Sequence, residues 1–405
     1  MSRFLLNPSN NTLSHLAKCL ALRETLEARG HEVFLTVSKA RAAFLDRLGQ
    51  DRYFVLPDIQ EADAGPAPRF SWFKADRVEA CVRAEVKLLK ELKPDAMLGV
   101  FRFTGPLSAK LADVPYDALI CGSMTPACDE VLGFAPGEAG AEEQAAALRF
   151  FRLTCARRLR PALDALGLAP LEDAWQLLTG RRTFLWDFPE FQPLPETPGY
   201  HHVGPPQWSG WPRPQNESAT LDRLQGPIAY VAFGTGGVST RMLRHLLDAL
   251  WRLGYAVALA LGGQAVLAEW PAESASLAVF EFLPAEQVLP RADLVVCHGG
   301  QLLVFEALRR GIPIFVLPMQ PEQAQNGVCV ERLGCGRRLL RGVVFDGRAD
   351  RVEAALLERP PAILTEEIAA VMADPGLPER ITRAGGQLGR YTGAEALATG
   401  LEAAA

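Results

Sequence analysis

A chain of 405 residues, 49% hydrophobic, has enough apolar material for two or three packed domains. Its formal net charge of −5 offers no basic footprint for nucleic acid, and no apolar run approaches the roughly 18 residues of a transmembrane segment. Eight scattered cysteines without a Cys-x-x-Cys pair, and a start at Met1-Ser2-Arg3-Phe4 without the regions of a secretory signal, point to a reduced, cytoplasmic protein. The histidines do not fall with the cysteines at zinc-ligand spacing.

In chain order, the sequence predicts a strand over 3–6, a polar loop over 7–14 and a helix over 15–29. The apolar side of that helix includes Leu16, Cys19, Leu22 and Leu26, with Ser14 as its N-cap and Gly30 as its terminator. A strand over 31–37 completes a β-loop-α-β unit. His15 then stands at a helix N-terminus, where the positive end of the dipole favours the neutral imidazole, the form that accepts a proton. It reads either as a general base or as a capping or packed histidine. Next come a helix over 39–48, a strand over 53–57, an acidic Pro/Gly-rich loop over 60–68, a helix over 77–92, a strand over 96–100, a helical stretch over 107–112 and a strand over 116–121. Alternation of this kind argues for an α/β fold with a doubly wound parallel sheet. Residues 141–166 form one or two helices carrying Arg157, Arg158 and Arg160, either a solvated face or a basic patch for an anionic acceptor or lipid. After a strand over 183–186, the Pro-, Gly- and Trp-rich stretch 188–214, with a solvated pair His201-His202, reads as an ordered linker.

The second half opens with a strand over 228–233, the turn Gly234-Thr235-Gly236-Gly237, a helix over 241–253 and a strand over 256–261. That turn is a poor dinucleotide fingerprint, because its third glycine is misplaced. A more informative unit follows. An apolar run over 292–297 ends at His298-Gly299-Gly300, a helical run over 301–310 is stopped by Gly311, and 312–318 reads as the next strand. Backbone N–H groups and the dipole at the first turn of such a helix favour an anion such as phosphate. Glu306, among Leu302, Leu303, Phe305 and Leu308, needs a hydrogen-bonding partner that a ribose diol could provide. Glu322 and Gln323 fall just past the strand, in the crevice where open α/β sheets bind ligands. Residues 350–357, 363–372 and the Ala-rich tail from 378 onward are helical.

Cys297-His298-Gly299-Gly300, Glu306, Pro318, Glu322-Gln323 and Asn326 together resemble the nucleotide-sugar glycosyltransferases with two Rossmann-like domains, the GT-B type. The likeness is to the antibiotic, flavonoid and glucuronide transferases, with local similarity to the lipid II N-acetylglucosaminyltransferase. The resemblance implies two Rossmann-like domains facing across a cleft. The first, 1–204, binds the acceptor; 205–226 link to a nucleotide-sugar domain over 227–384; and 385–405 pack back on the first. It further implies that Gly234 and Thr235 face the donor phosphates, and that His298 with the backbone of Gly299, Gly300, Gln301 and Leu302 holds the diphosphate. Glu306 would hold the ribose, and Glu322 and Gln323 the donor sugar. Phe282 would lie near the base, with Leu283 reading it through its backbone. His15 would be the general base. Three stretches depart from the family pattern: Leu302-Leu303 replaces a small pair, Phe282 and Ala285 stand where plant members have Trp and Gln, and Val100 stands where an acid supporting the base is expected, with Arg102 two residues on.

The expected activity is therefore inverting transfer of a sugar from a UDP- or dTDP-sugar to a hydroxyl of a small acceptor such as a natural product. Glu306 on a full ribose diol favours uridine. No cofactor is expected: the chain lacks the Asp-x-Asp pair through which many glycosyltransferases hold a metal. Loops over 58–73 and 122–140, with Phe70, Trp72, Phe73, Met124 and Phe134, suit either an apolar or aromatic acceptor or a core. A nucleotide-sugar epimerase or hydrolase on the same scaffold, and a non-catalytic nucleotide-sugar-binding auxiliary protein, are the alternatives.

Overall fold

The computed structural model describes residues 1–50, 52–59, 69–211, 220–234, 238–262, 270, 274–345 and 349–403. Contacts divide the chain into two compact units, one of Met1–Asp129, Ala146–Gly210 and Tyr391–Ala405, the other of Glu130–Ala145 and Trp211–Arg390.

The first unit is built on a seven-stranded sheet: β1 (Arg3–Pro8), β2 (Glu32–Val37), β3 (Phe54–Val55), β4 (Ala96–Val100), β5 (Tyr116–Ile120), β6 (Thr183–Leu185) and β7 (Tyr200–His202). The order is β3-β2-β1-β4-β5-β6-β7, with every neighbouring pair parallel. β4 and β5 are buried throughout, as strands covered on both faces must be; β4 reads as an apolar run, and β5 does so apart from Asp117, which Arg182 pairs. The strand order reverses between β1 and β4, which opens a crevice at their carboxyl ends. The C-terminal helix Ala394–Glu402 belongs here: Glu402 accepts from Arg29 Nη1 at 2.7 Å and lies 2.8 Å from His31 Nε2.

The second unit repeats the plan with six parallel strands: β8 (Ile228–Ala232), β9 (Ala256–Ala260), β10 (Leu277–Phe280), β11 (Leu294–Cys297), β12 (Ile314–Val316) and β13 (Gly336–Arg338). Their order, β10-β9-β8-β11-β12-β13, again reverses beside the first strand, between β8 and β11. The helix Thr240–Arg252 buries Met242, Leu243, Leu246, Leu247 and Leu250 against the sheet. Ser239 Oγ caps it by accepting from the Met242 N–H at 3.1 Å.

Several elements differ from the sequence expectation for identifiable reasons. β7 and β13 are edge strands, Tyr-His-His and Gly-Arg-Arg, with no apolar pattern to announce them. His201-His202 thus sit in a strand rather than a linker loop, and His202 Nδ1 lies 3.3 Å from the Asp187 carboxylate. Residues Ala141–Ala165 form one helix, with Pro161 inside it. Among the described residues, no helix is long and apolar enough to cross a membrane.

Candidate active site

In the first unit, the chain leaves β1 at Pro8 and enters the helix Leu13–Ala28, whose N-cap is Thr12, without a side-chain bond. Ser14, expected as the cap, lies inside the first turn and accepts from Lys18 Nζ at 2.7 Å. His15, in that same turn, is buried. Its ring stacks on Phe101 at 5.3 Å between centroids and tilts against Trp186 at 5.7 Å; Lys18 Nζ lies 4.4 Å from the Trp186 ring. Burial among these rings lowers the imidazole pKa to about 3; Lys18 and Arg41 push the same way against the backbone at Ser9. His15 is therefore neutral at pH 7, as a proton acceptor must be.

The position expected to carry a supporting acid is hydrophobic in fact as well as in sequence. Val100 is wholly buried opposite Pro8 in the β1–β4 pairing. The next residue, Phe101, takes a left-handed backbone (φ 51°) and supplies the ring against His15. Arg102 is neither a surface residue nor free to meet an acceptor. It is 3% exposed, and its guanidinium donates to Asp58 at 2.7 Å and to Glu85 at 2.6 Å and 2.9 Å. Glu85 also accepts from Thr104 Oγ1 at 2.7 Å and Ser108 Oγ at 2.5 Å. Asp58 accepts from Asn10 N at 2.9 Å and Asn10 Nδ2 at 2.8 Å, and Asn10 Oδ1 accepts from Ser38 N at 3.1 Å. The loop leading to His15 is thereby tied to a buried charge network that the sequence reading missed. Glu85 did carry a signal, since it shares a helix face with Val78, Cys81, Val82 and Leu89 and so required a partner.

Among the expected acceptor-pocket residues, Trp72 and Phe73 are buried, Phe73 edge-on to Phe103 at 5.0 Å. Phe134 is 3% exposed and belongs to the second unit. Phe70 packs on Phe151 at 5.2 Å, and Met124 is half-buried at the end of a short 3-10 turn. The loop 60–68 lies outside the described residues.

In the second unit, β8 and β11 lie side by side with Ala232 opposite Cys297, so the turns that follow them meet. Gly234 approaches the His298 ring so closely that a Cβ there would lie 3.4 Å from His298 Cε1; a Cβ on Gly300 would lie 2.6 Å from His298 Nε2. Burial lowers the His298 pKa to about 4, against the backbone at Ala232, so its imidazole is neutral at pH 7. Gly299 has φ 93°, and a Cβ on it would stand 2.5 Å from the Gln323 carbonyl oxygen. Only glycine fits there. Gly300 is the N-cap of the helix Gln301–Arg309, whose first-turn N–H groups have no partners within the helix itself. Thr235 lies outside the described residues.

Leu302, Leu303 and Glu306 are half-buried and share one stripe of that helix, while Gln301 is buried. Burial raises the Glu306 pKa, and Arg309 and Arg310 oppose it. Glu322 and Gln323 open the helix Pro321–Arg332 just past β12. Gln323 Oε1 accepts from Met319 N at 2.9 Å, and Asn326 Nδ2 donates to Glu322 Oε1 at 2.7 Å and to the Gly299 carbonyl at 2.8 Å. The His-Gly-Gly turn and the Glu322-Gln323 pair thus form one hydrogen-bonded assembly. Phe282, past β10, is 43% exposed with Trp211 6.3 Å away, and the Leu283 carbonyl accepts from the buried Tyr230 hydroxyl at 2.8 Å. All these groups stand at the carboxyl ends of β8, β10, β11 and β12. Replacing Gly299 by alanine is expected to weaken binding of a diphosphate ligand at this turn about tenfold or more, read by calorimetry, because the residue would be strained at positive φ and would crowd Gln323.

Residues 247–358 match the glycosyltransferase family 28 C-terminal domain. A "PGL/p-HBAD biosynthesis rhamnosyltransferase" of Mycobacterium bovis is 28% identical over 92% of this chain and 85% of its own length. The solved "glycotransferase of kitacinnamycin" covers 100% of this chain and 99% of its own, with a TM-score of 0.73 and 19% identity. The glycosyltransferase VinC, solved in complex with dTDP, covers 100% of this chain and 99% of its own, with a TM-score of 0.67 and 15% identity.

Proposed function

We propose that this chain, a glycosyltransferase built on two Rossmann-like units with a family 28 C-terminal domain, moves a sugar from a nucleoside diphosphate to a hydroxyl of a natural-product acceptor, with inversion and without a metal. The observation that supports this best is the assembly at the carboxyl ends of β8 and β11, where Gly234, His298, Gly299 and the helix N-terminus meet and Asn326 ties the turn to Glu322. Oriented N–H groups at such a turn suit the two phosphates, and a carboxylate with an amide suits sugar hydroxyls.

In this reading His15 takes the proton from the acceptor hydroxyl as its oxygen attacks the anomeric carbon on the side opposite the diphosphate, so the configuration inverts. The leaving diphosphate gathers negative charge, which the N–H groups after Gly299 and the neutral imidazole of His298 stabilise. Leu303 offers no hydroxyl to phosphate, which leaves more of this task to the backbone. The nucleoside is uridine or thymidine: Glu306 on a complete ribose diol favours the first, and the dTDP bound by VinC the second. Aromatic rings around His15 favour an apolar or aromatic acceptor, and eight free thiols favour a reducing, cytoplasmic setting.

A thermal-shift screen of nucleotide sugars, followed by mass spectrometry of hydroxylated small molecules with the best donor, tests the reading. The expected result is stabilisation by a UDP- or dTDP-sugar and an acceptor heavier by one sugar residue. Release of free sugar or conversion of the donor with no acceptor present would favour the epimerase or hydrolase, and stabilisation without any turnover the auxiliary role.

A further inference from the structure

Residues 130–145 interrupt the first unit in sequence and belong to the second in space. We propose that they form a positioning strap which, through Gln325, Arg338 and Glu138, fixes the start of the Pro321–Arg332 helix so that Glu322 and Gln323 meet the donor sugar; the proposal rests on the function given above.

The strap is held by buried, directional bonds rather than by incidental packing. Arg338, 2% exposed at the end of β13, donates to the Gly133 carbonyl at 2.7 Å and to Glu138 at 2.8 Å, while its Nε donates to Glu331 at 2.8 Å. Glu138 accepts in addition from the N–H groups of Ala135 at 2.9 Å and Gly342 at 3.0 Å. Burial alone would raise the pKa of Glu138, but these N–H groups and the Arg338 guanidinium overcome it and hold the carboxyl below its ordinary value. Farther along, the wholly buried Gln144 accepts from Phe345 N at 2.7 Å.

These bonds converge on one face of the helix that carries the sugar-binding pair. Gln325 accepts from Gly133 N at 3.1 Å and donates to Glu130 at 2.5 Å, and Arg332 pairs with the same carboxylate. Gly133, at φ 89°, lies so close that a Cβ there would stand 2.7 Å from Ala324 Cβ and 3.6 Å from the Pro321 carbonyl oxygen. Pro321, Ala324 and Gln325 are one helical turn apart and turn toward the strap, which leaves Glu322 and Gln323 off that face. Asn326, in turn, holds the helix to the Gly299 carbonyl. The helix start is gripped from two sides, by the phosphate turn through Asn326 and by the strap through Gln325. A sugar bound by Glu322 and Gln323 would feel displacement of the strap directly, whereas a diphosphate held at Gly299 would feel it only through the Asn326 bond, and so far more weakly.

The test compares Gln325→Leu with the wild type, using calorimetry with bare UDP or dTDP and with the nucleotide sugar the wild type binds best. Affinity for the nucleotide sugar is expected to fall about tenfold while that for the bare diphosphate stays within about twofold. Loss of both affinities in equal measure, or of neither, would overturn the strap's role. Should Gln325→Leu fail to fold, Glu138→Gln carries the same comparison with the same outcomes. A wild type that binds no nucleotide sugar would overturn the proposed function itself; a wild type that binds one, with both variants unaffected, would overturn only the strap.

Discussion

Under the proposed function, replacing His15 by alanine is expected to lower kcat by about 10²–10⁴-fold while leaving donor affinity unchanged, because His15 lies in the first unit and the residues proposed to bind the donor lie in the second. Two measurements are needed, transfer rate and donor binding by calorimetry. A variant with wild-type turnover would remove His15 from the mechanism. The pH dependence is equally specific. An ordinary imidazole titrates near 6.5, but burial against Phe101 and Trp186, with Lys18 and Arg41 adding to it, brings His15 to about 3. The acid limb of kcat/KM that belongs to His15 is therefore expected well below pH 5. Stability carries the same signature with a definite sign. Between pH 6.5 and about 3 the unfolded chain binds a proton at His15 that the folded chain refuses, so folding loses free energy as pH falls through that window. His15→Gln should therefore lose less stability than the wild type between pH 7 and pH 4, as read by urea denaturation.

How much of this could be read from the residues alone depended on periodicity. β4 and β11 were legible because buried parallel strands are continuous apolar runs, and the His298-Gly299-Gly300 turn because its paired glycines mark a tight approach, which the structure shows at Gly299, where an added Cβ would stand 2.5 Å from the Gln323 carbonyl oxygen. β7 and β13 were not, because edge strands of Tyr, His, Gly and Arg are held by backbone pairing and, at Arg338, by partners far away in sequence. The strap was hidden for the same reason: Glu138 and Arg338 stand 200 residues apart, and no local pattern joins them. Phe134 shows what composition leaves open without topology. An aromatic in a loop of the first half suited either an acceptor wall or a core, and the structure has it buried in the second unit, with its ring 3.1 Å from where a Cβ on Gly140 would stand. At Val100 the sequence correctly showed a missing acid, but not that Phe101 would take up the contact with His15.

The charge network beneath His15 leads to the second large effect. Burial alone would lower the Arg102 pKa, but the carboxylates of Asp58 and Glu85 overcome it and raise the pKa, so the guanidinium is held charged in the core. Removing that cation leaves two carboxylates in place without it, and breaking a buried ion pair from one side costs about 3–5 kcal/mol. Arg102→Met is accordingly expected to lose about 3–5 kcal/mol of unfolding free energy in urea, several times the cost of a typical surface substitution. Combining Asp58→Asn, Glu85→Gln and Arg102→Met should recover most of that loss, because no uncompensated charge remains inside. Stability and function then separate. Asp58 holds both nitrogens of Asn10, in the loop that enters the His15 helix, so any Arg102→Met protein that stays folded should show reduced kcat with unchanged donor affinity. Unchanged kcat in that folded variant would make the network a support for the fold alone, and His15 would owe its placement to Phe101, Trp186 and the helix itself.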